Sequence, residues 1–343
     1  MKRRFAGISE RDVMKLPRRN FLHLAAAAAA LPAVSRFAFA QAYPTRPVTM
    51  IVPFAPGGGT DVAARIVGEH MARTLGQQIV IQNIAGAGGT TGSTRAMRAA
   101  ADGYTILMGH MGTHATSVAL YPALAYKPEV DFEPIGMVSE VPLLLVARKD
   151  FAPKDLREFV AFVKKNSDKL NVGHAGVGSI FFSTCLMLNS ILDVKPTQVP
   201  FNGGAPAMNA LVGGQIDYLC ADVVTAAPQL QAGTIKAYAI ASTSRNPSIP
   251  TVPTTTEAGL PEFQASGWFA LFAPKGTPKP ILDRLTDALD RALDDEGTRK
   301  RLIELANDLP EKSRRGQQAL RVFLENEIAR WTPIIQAANV KAE

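Results

Sequence analysis

The stretch Val48-Thr49-Met50-Ile51-Val52-Pro53-Phe54-Ala55-Pro56-Gly57-Gly58-Gly59-Thr60-Asp61 constrains this chain more than any other. It begins as an apolar, β-branched run, the pattern of a buried strand. It ends in glycines that lead straight into the helix-like segment Val62 to Leu75. A strand that turns through glycines into a helix leaves backbone N–H groups free at the helix start, where the helix dipole also favours an anion. Taken alone, this corner reads equally as a tight turn with Thr60 or Asp61 capping the helix. A second copy changes the balance. Gln198-Val199-Pro200-Phe201-Asn202-Gly203-Gly204-Ala205-Pro206 again ends a short strand in Val-Pro-Phe and glycines, and the helix-like Ala207 to Gly213 follows. Two such corners in separate halves predict two lobes presenting helix N-termini to a shared cleft.

Residues 1–40 read as an export signal. Arg18-Arg19-Asn20-Phe21-Leu22 is a twin-arginine core, Leu24 to Val34 an alanine-rich apolar run, and Ala38-Phe39-Ala40 an A-x-A cleavage site. The apolar run is too short and interrupted to span a bilayer about 30 Å thick. The segment holds eight of the 37 Lys and Arg and two of the 30 Asp and Glu, which leaves 29 against 28. A mature net charge of +1 argues against a nucleic-acid or anionic-membrane surface. The 303 residues that follow the signal exceed a typical single core of about 250–300 residues, which again favours two lobes. Cys185 and Cys220 read either as a disulfide in an oxidising compartment or as two small buried hydrophobes. No metal-like His/Cys spacing is present, and no cofactor is expected.

Strand-like and helix-like segments alternate through most of the chain. Gln78 to Gln82, Thr105 to Gly109, Leu143 to Val146, Leu170 to Gly173, Gln215 to Asp222, Ile235 to Ala241 and Trp268 to Ala273 read as strands. This rhythm predicts an α/β fold with a mostly parallel sheet flanked by helices. His110-Met111-Gly112-Thr113-His114 falls just past a strand's carboxyl end, where open α/β sheets place ligands. Gly86-Ala87-Gly88-Gly89-Thr90-Thr91 misses a dinucleotide fingerprint, because Thr91 stands where its last glycine belongs. The tail carries two apolar helical stripes, Ile281-Leu282-Leu285-Leu289-Leu293 and Leu320-Phe323-Leu324-Ile328-Trp331, which read as core faces.

The ordered set of segments resembles the solute-binding receptors of tripartite tricarboxylate transporters, often called Bug proteins. It comprises Tyr43-Pro44-Thr45-Arg46-Pro47-Val48, both Val-Pro-Phe-glycine corners, Gly86-Ala87-Gly88-Gly89, Asp102-Gly103-Tyr104-Thr105, Gly178-Ser179, Gly213-Gly214-Gln215-Ile216-Asp217 and Trp268 to Pro274. The resemblance implies a two-lobed, type II-like periplasmic binding protein, with 41–140 and 268–343 as one lobe, 141–267 as the other, and the cleft between them. It implies capture of a small carboxylate by hinge closure and delivery to a two-subunit membrane permease, by a monomer that is soluble in the periplasm once the twin-arginine machinery has exported it. Carried onto this chain, the first grip is Phe54, Ala55, Pro56, Gly57, Gly58, Gly59, Thr60 and Asp61. The second is Phe201, Asn202 and Gly203, with Thr113, Gly178 and Ser179 beside them and Asp222 closing the pocket from the second lobe. Family members commonly carry Tyr and Lys or Arg where Phe201 and Asn202 stand here, so a monocarboxylate or a ligand with a neutral distal end is expected. His114 reads as a partner for that end or as a structural histidine, and Asp61 as a water-orienting group or a helix cap.

Two other functions stay open on the residues alone. A receptor feeding a membrane sensor would share this fold and cleft. A periplasmic hydrolase would need Ser179, His114 and Asp222 as its triad, but no G-x-S-x-G elbow is present and Ser179 reads better as a donor to a ligand. The chain is therefore read as a binding protein and not as an enzyme.

Overall fold

A computed structural model describes residues 43–338 and Val340. The signal segment read from residues 1–40 lies outside them.

One long strand organises the rest. β4 runs from Phe132 to Arg148 and changes partners midway. From Phe132 to Pro142 it lies antiparallel to β9 (Ser266–Pro274), and from Leu143 onward it lies between β7 (Tyr218–Asp222) and β8 (Ile235–Ile240). Pro134 and Pro142 have no N–H to give to a ladder. The register slips between Pro134 and Gly136 and again between Met137 and Ser139. The first half of the sheet has the order β2–β1–β3–β9–β4, with β1 at Val48–Val52, β2 at Ile79–Asn83 and β3 at Thr105–His110. The second half continues β4–β7–β5–β6, with β5 at Asn171–His174 and β6 at Thr197–Pro200. Each half thus has a parallel core of three strands, β2–β1–β3 or β7–β5–β6. The expected mostly parallel sheets are mixed, because β4, which crosses between the halves, and its partner β9 run antiparallel to everything they touch.

Helices cover both halves. In the first, α1 (Gly59–Leu75) follows β1 and α2 (Thr90–Met97) follows β2. The second carries α3 (Leu156–Asn166), α4 (Ile180–Leu192), α5 (Gly204–Val212) and α6 (Val223–Gln231). The chain then returns through β9 to α7 (Lys279–Asp294), α8 (Glu296–Glu304) and α9 (Gly316–Ala337). The apolar stripe of α7 is buried at Leu282, Leu285, Leu289 and Leu293, where it packs on α1 and β4. On α9, Leu320, Leu324 and Trp331 are buried, and so is Glu327. Glu327 accepts hydrogen bonds from the indoles of Trp268 (2.8 Å) and Trp331 (3.3 Å) and pairs with Arg330 (3.3 Å), which satisfies an otherwise costly buried carboxylate.

The core of the second half gathers Phe151, Phe159, Tyr218 and Tyr238 around a disulfide. Cys185 of α4 and Cys220 of β7 are joined, their Cα atoms 5.5 Å apart, so the open choice in the sequence resolves to a bond. Among the described residues no helix is long and apolar enough to cross a membrane.

Candidate functional site

Four helices begin at one cavity. It is lined by Gly58, Gly59 and Thr60 from the start of α1, Ile180 and Phe181 from α4, Gly204 from α5, and Asp222 at the foot of α6. Ser179, Ala175, Phe54, His110 and Phe269 complete the wall. Both halves of the sheet contribute.

The four N-termini differ in one respect. Ser179 caps α4 by accepting the Phe182 N–H (3.2 Å), and Asp222 caps α6 by accepting the Thr225 N–H (2.8 Å). The N-caps of α1 and α5 are Gly58 and Gly203, and neither helix has a side-chain cap. One helix start without a side-chain cap of its own therefore comes from each half, and the Asp222 carboxylate reaches the Gly59 N–H of α1. Among the described residues no Lys or Arg lines the cavity. Positive potential there comes from backbone dipoles, and hydroxyl donors are available from Thr60 and from the proton Ser179 keeps as a cap.

The corners that carry these N-termini are braced from behind. Asp61 accepts from the Gly57 N–H (3.0 Å), from Asn83 (2.9 Å) and from both arms of Arg65 (2.9 Å each). Burial alone would raise its carboxyl, but Arg65, the Gly57 amide and Asn83 outweigh burial and hold it below its ordinary value. Asp61 faces this brace and does not line the cavity; it caps no helix, since α1 has no side-chain cap, and it holds the corner in place from behind. The two corners also meet: the Ala55 N–H donates to the Asn202 carbonyl (3.0 Å). Gly59 packs so closely against the Asp222 carboxylate that a Cβ would collide with it.

Of the residues expected in the grip, Phe54, Gly58, Gly59, Thr60, Ser179 and Asp222 line this cavity. Phe201 and Asn202 line a second one, with Tyr121, Gly88 and Val177, and Ala175 belongs to both walls. Ala55 and Gly203 form the contact between the corners, while Pro56 and Gly57 are exposed on the outer turn. Gly178 is set back, its carbonyl accepting from Thr116 (3.3 Å).

Thr113 and His114 require a correction, since neither lines the cavity. After β3 the chain makes a wide π-type turn, Gly112–Thr116, which rotates His114 beneath the sheet. There His114 stacks on Phe272 (4.0 Å between centroids) beside Phe132 and Tyr126, with Nδ1 bonded to the Thr113 hydroxyl (2.8 Å). Burial, reinforced by His110, keeps it uncharged well below the usual histidine range. Thr113 braces the turn, where its hydroxyl meets the backbone of His110.

His110 takes the place expected for His114. Its ring stacks on Phe54 (4.6 Å, 21° between planes), and Nδ1 accepts from the Gly112 N–H (2.7 Å) and the Thr113 N–H (3.2 Å). Burial pushes it down to about 3. The sequence places the whole stretch His110 to His114 just past a strand's carboxyl end, and nothing in it singles out His110. Among the described residues no group of His, Cys, Asp and Glu is placed to hold a metal ion.

A mixed α/β sheet whose halves share one long strand, with helix N-termini from both halves opening on one cavity, defines the two-lobed binding-protein fold. The sequence points the same way, since residues 63–340 match the family model described as "Tripartite tricarboxylate transporter family receptor". The chain belongs to that family. It is 50% identical to MatC of Rhodopseudomonas palustris with bound malate, with a TM-score of 0.83 over 85% of this chain and 100% of that one. It is 39% identical to the periplasmic binding protein BugD, with a TM-score of 0.84 over 88% and 100%. An Agrobacterium vitis protein described as "UPF0065 protein in the TAR-I ttuE-ttuC' intergenic region" is 41% identical across 87% of this chain and 86% of its own length.

Proposed function

We propose that this chain is a periplasmic receptor that captures a short-chain carboxylate by closure of two lobes and delivers it to a two-subunit membrane permease. The observation that carries the reading is the pair of helix N-termini without a side-chain cap of their own, one from each half, opening on a cavity that no Lys or Arg lines among the described residues. Amides oriented this way hold an anion without a counter-charge, and desolvation between the lobes strengthens each hydrogen bond. The change of partner along β4 near Pro142 and the return through Ser266 favour hinges there, dividing the chain into 41–140 with 268–343, and 141–267. The malate bound by a relative at 50% identity makes four-carbon dicarboxylates the first ligands to try. Capture without turnover is supported by Ser179 and Asp222 both serving as helix caps, while His114 is bonded elsewhere.

The test is thermal unfolding of the mature protein against short mono- and dicarboxylates and their carboxamide analogues. A ligand at 100 times its Kd adds about 2.7 kcal/mol to the folded state. A shift with one acid that disappears for its amide is expected; shifts with uncharged compounds alone would overturn the reading.

A further inference from the structure

The loop between β5 and α4 presents two consecutive carbonyls to the other half of the sheet. Gly176 and Gly178, on either side of Val177, both have left-handed backbone (φ 103° and 86°). Each carbonyl enters a notch that a glycine leaves in the first half. A Cβ at Gly88 would overlap the Val177 carbonyl, and a Cβ at Gly112 would overlap the Gly178 carbonyl oxygen. Each is also met by a hydroxyl of the first half. Tyr121 donates to the Val177 carbonyl (2.6 Å), and the buried Thr116 donates to the Gly178 carbonyl (3.3 Å). The Ser183 hydroxyl of α4 donates in turn to the Thr116 oxygen (3.1 Å).

The two hydroxyls share a second property. Each also reaches a carbonyl of its own half, Tyr121 that of Ala87 (3.0 Å) and Thr116 that of Gly112 (3.3 Å). A hydroxyl has one proton to give, so each has an acceptor at home and another across the cleft. Separating the halves exchanges one acceptor for the other and leaves neither donor unpaired. Burial lifts the Tyr121 phenol to about 12, so it keeps that proton throughout the ordinary pH range.

Resting on the lobe-closure reading above, we propose that Tyr121 and Thr116, with the notches at Gly88 and Gly112, form a clasp on the Val177 and Gly178 carbonyls that holds the lobes together and sets how long a captured ligand stays. Every atom of the clasp belongs to the chain, so it acts alike on every ligand. It forms only when the halves meet, so it slows release and leaves entry unchanged. The next residue, Ser179, lines the cavity and caps α4, so the clasp also fixes that part of the wall. Tyr121 lines the second cavity as well. A ligand contact there would make its effect depend on the ligand, which separates the two roles.

The experiment is stopped-flow binding of malate, succinate, lactate and propionate to the mature protein, wild type against Tyr121→Phe, which keeps the ring and loses only the hydroxyl. Dissociation is expected to be about 3- to 10-fold faster, the scale of one hydrogen bond, with association unchanged and the same factor for each acid that binds. Thr116→Val should act in the same direction. Dissociation of the Tyr121 variant within about twofold of wild type, a change confined to association, or a factor that differs between mono- and dicarboxylates would overturn the clasp and leave the receptor reading standing. If none of these acids binds, the receptor reading falls and the clasp is judged without ligand. In small-angle X-ray scattering, Gly88→Ala, whose new methyl blocks the Val177 carbonyl, is then expected to be more extended than wild type, and equal radii overturn the clasp. Should that variant not fold, Tyr121→Phe takes its place in the scattering.

Discussion

Gly59 shows how much this site asks of a single residue. It supplies a first-turn position of α1 at the cavity wall and leaves room for the Asp222 carboxylate where a side chain would stand. Gly59→Ala should therefore keep the closed contact from forming and weaken carboxylate binding by ~10-fold or more, the cost of overpacking a tight contact by one carbon. Titration checks this, and wild-type affinity would refute it. Asp61 acts at one remove. Its neighbours stabilise the ionised form, and Arg65 is half-exposed, which discounts the ion pair. Asp61→Asn should cost about 1 kcal/mol in denaturant unfolding at neutral pH. Gly59 and Asp61 were legible in the sequence, because a strand–glycine–helix corner dictates what stands there. His110 was not, since nothing in a linear chain says which histidine of a five-residue stretch a π-type turn will swing away from the cavity.

At the scale of elements, the corners and the helices behind them follow from local chemistry, and β4 does not. A segment carrying Pro134, Gly136 and Pro142 reads as broken, so only Leu143 to Val146 stands out as strand; the full element forms because β9 pairs with it around two register slips. That pairing is tertiary, and periodicity does not carry it. The disulfide is likewise invisible to spacing. It closes 35 residues between α4 and β7, and in the chain-entropy picture a loop of that length is worth about 4 kcal/mol. Replacing Cys185 and Cys220 together by alanine should lower the denaturation midpoint accordingly, and a midpoint that reductant does not move would argue that the bond contributes little.

Across the whole molecule, three histidines share one liability. His110, His114 and His174 are all buried and uncharged, with His110 held at about 3 and His174 at about 4 by burial, and His114 well below the ordinary value for the same cause. Folded values below the unfolded one mean that unfolding takes up protons, so stability is complete above about pH 6.5 and falls as pH drops toward the folded values. Each ring contributes up to roughly 1.4 kcal/mol per pH unit across that window. Asp222, raised by burial, works in the opposite direction once pH falls below its own folded value. Denaturant midpoints should decline steeply between pH 6 and pH 4.5, and a flat profile would show that these rings are not buried in solution. The four convergent helix starts have a different consequence, for how such a receptor diversifies. Main-chain amides are common to every sequence that folds this way, so no substitution can rewrite them without breaking the corner. Inheritance fixes the handle, and new tastes must arise in the few side chains left over around it.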